Sequence, residues 1–392
     1  METKFNVTHI GGRSGTIEFP KDTVFNDSIN YSIFEADKTC IEQIRRSNPC
    51  AQVYPFCIDE KNGEKDFYLN LNKYSSSLLE KNDTNLKFYM QFNKTTDALL
   101  NEVLRPIKSI KMKTYSLDYL IEKEKIPKID FLSLDTQGSE YEILKGSIEC
   151  LKKSIVAIKT EINFVEIYKN SKLFSDIDKL LCEHGFFLAE LNSFDDYYKE
   201  RIPLEFRGKQ IPLQGEAVYF YNPDNIKLDN KINFVDKLEK LAFAFVVYGF
   251  TDLSFRSLNR IHLNKLNFNQ STSYQKFLKE FYFKIKDKEM NLPKLWHENL
   301  ADNYSEKVSA IDKSVDLEYF KKNIYSKAII RLANNPFLFF KISIKYILNR
   351  LKLLFLELTP IRITIKKNSK FSNYLKKYKL LLAAERINSQ KY

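Results

Sequence analysis

The stretch Ile129–Asp130–Phe131–Leu132–Ser133–Leu134–Asp135–Thr136–Gln137–Gly138–Ser139–Glu140 decides how this chain is read. Ile129 to Leu134 is a compact apolar strand candidate, and it stops at an acid. Gly138 permits a close turn. Glu140 opens a helical pattern that runs to Lys153, where an acid suits the positive end of the helix dipole. A strand, an acid, a glycine turn and a helix in this order are one unit of a parallel sheet.

The same alternation extends in both directions. Phe5–Ile10, Tyr31–Ala36 and Ala51–Ile58 read as strands on the N-terminal side, with a helical pattern over Lys38–Ser47 and a further strand over Asp66–Leu71. Ser116–Lys125 is helical and is broken by Pro127. Ile155–Ile162, Phe186–Leu191 and Glu216–Tyr221 are the later strands. Ile177, Leu180 and Leu181 form the apolar stripe of the helix between the first two of these, with Gly185 as its C-terminal cap. Strands alternating with helices predict an α/β sheet covered on both faces, with ligands bound beyond the carboxyl ends of the strands.

The residues just after each strand are therefore the candidate site. Gly11, Gly12 and Gly15 follow the first strand, where glycine admits positive φ and close backbone approach to a ligand. The spacing is neither GxGxxG nor that of a P-loop. Glu35 ends the second strand, twenty residues after Gly15, where an acid accepts hydrogen bonds from ribose hydroxyls. Asp59 follows the third strand. Asp135 can orient or deprotonate a hydroxyl, or simply cap the next helix. Glu161 is a further acid at the crevice, or one partner of a structural ion pair. His9, beside the glycines, is a candidate base or a structural histidine.

These motifs resemble the FkbM-type methyltransferases. Val7–Thr8–His9–Ile10–Gly11–Gly12–Arg13–Ser14–Gly15 is similar to the family's first motif, and Phe34–Glu35–Ala36–Asp37 to its second-strand acidic motif. Asp59–Glu60–Lys61–Asn62–Gly63–Glu64 with Phe67–Tyr68, and Ser75–Ser76–Ser77–Leu78–Leu79, continue the likeness. The most specific match is the opening stretch itself, with Ile143–Leu144–Lys145–Gly146 behind it. Glu161 to Tyr168, Phe174–Ser175–Asp176–Ile177 and Gly185–Phe186 complete a resemblance over about residues 5–222. His9 stands where many members carry an acid, and Gln137 where Glu is commoner.

The resemblance implies a Rossmann-like seven-stranded α/β methyltransferase fold and S-adenosyl-L-methionine as cofactor. It implies that Gly11, Gly12 and Gly15 face the methionine part, that Glu35 holds the ribose and that Asp59 lies near the adenine. Asp135 would face the methyl-transfer site, with His9 as the other candidate proton acceptor. The acceptor implied is a hydroxyl, through family association a sugar hydroxyl of a surface glycan or its lipid-linked precursor. No metal is expected, because no His/Asp ligand cluster of standard spacing is evident.

Composition bounds the rest. The 392 residues suffice for two domains, and no apolar run of about 18 residues suggests a membrane span. The N-terminus lacks a signal-peptide layout, so a cytoplasmic protein is expected. The five cysteines form no CxxC pair, which argues against a disulfide framework or structural zinc. Nine of the ten glycines lie at or before Gly215, and a turn-like cluster follows at Asn222–Asn225. This predicts a methyltransferase domain over 1–225 and a mostly helical region over 226–392. Residues 336–392 carry thirteen Lys or Arg against Glu357 and Glu385, a net +11 of the chain's +12. Within them Phe337–Leu358 reads as a basic amphipathic helix. It suits peripheral contact with anionic lipid at the inner face of a membrane, or packing on its own domain or in a dimer interface. Nucleic acid is disfavoured, since no nucleic-acid module is evident. The reading from another class is a catalytically silent scaffold that keeps the cofactor fold.

Overall fold

The structure is a computed structural model that describes residues 4–286 apart from 15–18, 20–24, 88, 93–96, 194–196 and 199–210. Gly15 and the basic segment 336–392 lie outside the described residues.

Seven strands form the central sheet: β1 (Phe5–Ile10), β2 (Ile29–Phe34), β3 (Ala51–Tyr54), β4 (Phe131–Leu134), β5 (Ala157–Asn163), β6 (Phe186–Ser193) and β7 (Gln214–Tyr221). Their order across the sheet is β6-β7-β5-β4-β1-β2-β3. The pairs from β3 to β5 are parallel, and β7 runs antiparallel between β5 and β6. β4 is buried at every position, as expected of a strand covered on both faces. Register places Ile10 beside Leu134 and His9 beside Ser133.

The helices used below are α1 (Ile41–Ser47), α2 (Leu117–Glu122), α3 (Glu140–Lys145), α4 (Ile148–Lys153), α5 (Phe174–Glu183), α6 (Lys231–Val247), α7 (Thr251–Leu263) and α8 (Ser273–Lys286). On one sheet face, Leu117, Leu120, Ile143, Leu144, Leu151, Ile177 and Leu181 pack on Ile10, Leu132, Leu134, Ile158 and Tyr219. On the other face, Phe234, Leu238, Leu241, Phe243, Phe245, Tyr274 and Phe277 pack on Phe5, Val7, Phe131 and Phe220.

Three expectations change. The helical region after residue 225 shares one hydrophobic core with the sheet as far as Lys286, so the division expected at 225/226 falls inside continuous packing. α6 is buried on most of its surface, which suits a helix laid on a sheet and covered in turn by two others. The third strand stops at Tyr54, because Pro55 has no N–H to donate. Cys57–Ile58 leaves the main sheet and pairs with Thr114–Tyr115 of a ten-residue strand, Pro106–Tyr115, which also pairs with Gly63–Asn70. The helix expected over Glu140–Lys153 breaks into α3 and α4. A Cβ on Gly146 would lie 2.5 Å from the Asp59 carbonyl oxygen, so the chain there packs backbone to backbone. The Asp118 carboxylate accepts hydrogen bonds from the N–H groups of Glu149 (2.9 Å) and Cys150 (3.0 Å), restarting the helix.

Beneath the cover of α6, the Lys240 ammonium lies 3.1 Å from Asp130 and 3.0 Å from Asp236. Asp130 also accepts from the Asn6 N–H at 2.8 Å. Burial outweighs these partners and pushes the Asp130 carboxyl up to about 6.

Candidate active site

The carboxyl ends of β1, β4 and β5 and the starting end of antiparallel β7 open on one cavity of about 280 Å³. Gly11 and Asp135 line it, together with Gln137, Glu161, Tyr168 and Gln214.

The first turn is fixed by contact with its neighbours. Gly11 has φ +101°, and its N–H donates to the Phe34 carbonyl at 3.1 Å. A Cβ on Gly11 would sit 1.7 Å from the Asp135 carbonyl oxygen, and one on Gly12 would sit 2.3 Å from Ile33 Cγ2. Only glycine fits this passage between the ends of β2 and β4. Arg13 pairs with Asp37 beside it.

Glu35 follows β2. Its buried Oε1 accepts from the Asp37 N–H at 2.8 Å, and burial raises its pKa despite the nearby Arg13. Asp59 is buried, with Oδ2 2.6 Å from the Lys65 ammonium; its Oδ1 has no hydrogen-bond partner. Neither carboxylate lines the cavity that holds Asp135.

The 135–140 turn is the most constrained part of the site. Gln137 is left-handed at φ +60°, a conformation uncommon for a non-glycine residue. Its carbonyl accepts from Ser77 Oγ at 2.7 Å. Its Nε2 donates to Asp135 Oδ1 and Glu161 Oε2, both at 2.8 Å, while Tyr168 OH donates to its Oε1 at 3.2 Å. A Cβ on Gly138 would strike the Tyr168 ring at 2.6 Å, so this glycine makes room for the tyrosine. Glu140 turns back over its own loop. Its carboxylate accepts from Thr136 N (2.7 Å), Thr136 Oγ1 (3.0 Å) and Gly138 N (2.9 Å), and burial pushes it up to about 7.

Glu161 is held well above the usual carboxylate range, first by burial and then by the charges of Asp135 and Glu140. Gln214 Nε2 donates to its Oε1 at 2.5 Å. Lys159 pairs with Glu216 at 2.9 Å on the same rim.

The structure thus brings Gly11, Asp135 and Glu161 together and sets Glu35 just beyond the first turn. His9 does not line the cavity. It is buried in the sheet, with Nδ1 3.0 Å from Ser133 Oγ on β4. Sequence reasoning missed Tyr168, Lys159, Gln214 and Glu216 as lining residues. Only Tyr168 carried a signal, at the end of the Glu161–Tyr168 motif. Among the described residues, no group of three or more His, Cys, Asp or Glu side chains is placed to hold a metal ion.

A seven-stranded sheet of this order, with the glycine turn and acids at its strand ends, is the Rossmann-like methyltransferase fold. Residues 18–188 match the methyltransferase FkbM domain. No curated protein matches the chain in sequence. Two solved structures are similar over 56% of the chain. One is the methyltransferase FkbM from Methylobacillus flagellatus KT (11% identity, TM-score 0.30). The chain spans 44% of that protein's length. The other is magnesium protoporphyrin IX methyltransferase (ChlM) from Synechocystis PCC 6803 with bound SAM (7% identity, 71% of its length, TM-score 0.28).

The cofactor of a methyltransferase domain of this family is S-adenosylmethionine. The residues present fit it. Asp59 Oδ1 is a buried acceptor that lacks a donor, and Glu35 offers a second buried carboxylate at the end of β2. Both suit the hydroxyl and amine donors of a nucleoside.

Proposed function

We propose that this chain is an O-methyltransferase whose acceptor is a sugar hydroxyl of a glycan or its lipid-linked precursor. The observation that carries the reading is Asp135. It lines the cavity at the end of β4, with an oxygen fixed by Gln137, among groups that suit a polyhydroxylated ligand. Asn72, Ser75 and Gln214 supply amide and hydroxyl groups, and Tyr74 supplies an exposed ring at the same cavity.

When bound, S-adenosylmethionine supplies a methyl group on a sulfonium. Glu35 and Asp59 hold its adenosine part, and Gly11 sets the backbone beside it. Asp135 accepts the acceptor's hydroxyl proton as the oxygen is methylated. Gln137 and Tyr168 keep the carboxylate aimed at the cavity. The net +11 of residues 336–392 supports an acceptor presented at an anionic lipid surface.

The test is label transfer from methyl-labelled S-adenosylmethionine to a panel of glycosides, nucleotide sugars and polyprenyl-linked sugars. Label recovered as an O-methyl sugar after hydrolysis of the product supports the reading; label recovered on nitrogen, or as an alkali-labile methyl ester, overturns it. Flotation with anionic liposomes, with and without residues 336–392, tests the lipid surface. Equal flotation of both proteins would remove that part.

A further inference from the structure

We propose that Glu161, tied to Asp135 through Gln137, holds a proton in the free protein, and that binding of the cationic cofactor expels it and leaves the pair ready to take the acceptor's proton. The inference rests on the S-adenosylmethionine reading above. It makes Glu161 part of the proton-accepting apparatus and Gln137 the positioning residue that binds the pair together.

Both carboxylates are tethered to one atom, Gln137 Nε2, at 2.8 Å each. Their nearest oxygens are therefore no farther apart than those two contacts laid end to end. Gln137 cannot swing away to separate them. Its carbonyl is held by Ser77, its Oε1 by Tyr168, and its backbone by the left-handed turn.

The charges around the pair do not favour two ionised acids. Glu140 faces it from the start of α3 and Glu216 from β7. The cations on the cavity wall are Lys159 of β5, on Glu216, and Arg13 of the first turn, on Asp37. Gln214 and Tyr168 are neutral donors. A buried carboxyl beside a second carboxylate holds its own proton to higher pH, and Glu161 is the buried member here. The strong upward displacement of Glu161 agrees with that geometry.

A positive charge entering the same cavity reverses the balance, because a nearby cation favours the ionised form. One carboxylic O–H bond then breaks and its proton passes to solvent. In the later transfer, the acceptor's O–H bond breaks and its proton enters the emptied pair. The site therefore acquires its full proton-accepting capacity only after the cofactor is in place.

Titration calorimetry of the full chain near neutral pH, in two buffers of different ionisation enthalpy, reads the released proton. S-adenosylmethionine should release about one proton per site. S-adenosylhomocysteine, a neutral thioether, should bind with no release. Glu161→Gln should bind S-adenosylmethionine without release. If that variant does not fold, Gln137→Met, which unties the pair, replaces it and should show less release. Binding of S-adenosylmethionine with no release overturns the inference and leaves the cofactor reading intact. Binding of neither compound overturns the cofactor reading, and the release with it. The proton on Glu161 is then judged separately by infrared spectroscopy of the free protein. The carboxylic-acid C=O stretch at neutral pH should be present and lost in Glu161→Gln; no difference between the two proteins overturns it.

Discussion

The two faces of the sheet are covered in different ways. One is covered by α2 to α5, helices that lie between the strands in sequence, and its core is mostly Leu and Ile. The other is covered by α6 to α8, which follow the last strand, and its core is dominated by Phe and Tyr. Phe243 packs on Phe5, Phe19, Phe25 and Tyr274 at once. Ser273 Oγ donates to Asp27, 246 residues away. The first face assembles from near neighbours in the chain. The second closes only when its C-terminal helices reach the oldest strand, at the entropic cost of long-range contacts. The site lies at the carboxyl ends of the interior strands, between the two covered faces.

The largest expected effect comes from ending the chain at residue 225. Each large apolar side chain uncovered forfeits about 1.5–3 kcal/mol, so losing α6 to α8 exceeds a domain's usual margin of about 5–15 kcal/mol. The truncated chain should show no cooperative thermal transition. A sharp melt matching that of the full chain would break the comparison.

Phe243→Ala should cost about 3–5 kcal/mol in urea unfolding, and Leu151→Ala on the other face about 2–5. A markedly smaller loss at Phe243 would mean that the aromatic face is the looser one.

The third effect is pH-dependent. Asp130 titrates near 6 when folded against 3.8 as a free side chain, so the folded state binds its proton more tightly. Its contribution to stability is full below pH 3.8 and is lost as pH rises to about 6, a decline of about 3 kcal/mol. Glu140 and Glu239, both near 7, act in the same direction up to neutral pH. Stability measured across this range should fall less steeply in Asp130→Asn. An unchanged slope would show that the Lys240 cluster does not carry it.

The smallest effect is at the site. Glu35→Ala should weaken S-adenosylmethionine binding by about 1.5–3 kcal/mol, the worth of hydrogen bonds to a charged group, with the thermal transition little changed. Undiminished affinity by calorimetry would remove Glu35 from the cofactor site.

Much of the central sheet was legible because β4 is a compact apolar run that stops at Asp135, and β1 is a β-prone segment that runs into Gly11 and Gly12. The acids Glu35 and Asp135 were found by looking just past their strands, and Glu161 by looking at the end of its own. That same rule hid Gln214 and Glu216. β7 is antiparallel, so its beginning meets the site, and nothing local in the sequence announces a reversed strand. The helix break at Gly146 was hidden for a related reason, since it is imposed by the Asp59–Glu60 backbone from far away in sequence. The scarcity of glycine marked residues 226–392 as mostly helical, but it cannot say which surface a helix will cover.

The turn at Gly11 has one more consequence. Its α-carbon is pressed so closely on the Asp135 carbonyl that not even a methyl group fits between them, and the Asp135 N–H donates to Ile10. The part of the chain expected to hold the donor and the part expected to receive the proton are thus one mechanical joint, made of main chain on main chain. Alignment between the two substrates is set by peptide geometry, with a tolerance thinner than a side chain. Surrounding residues can drift toward new acceptors while that registration stays unchanged.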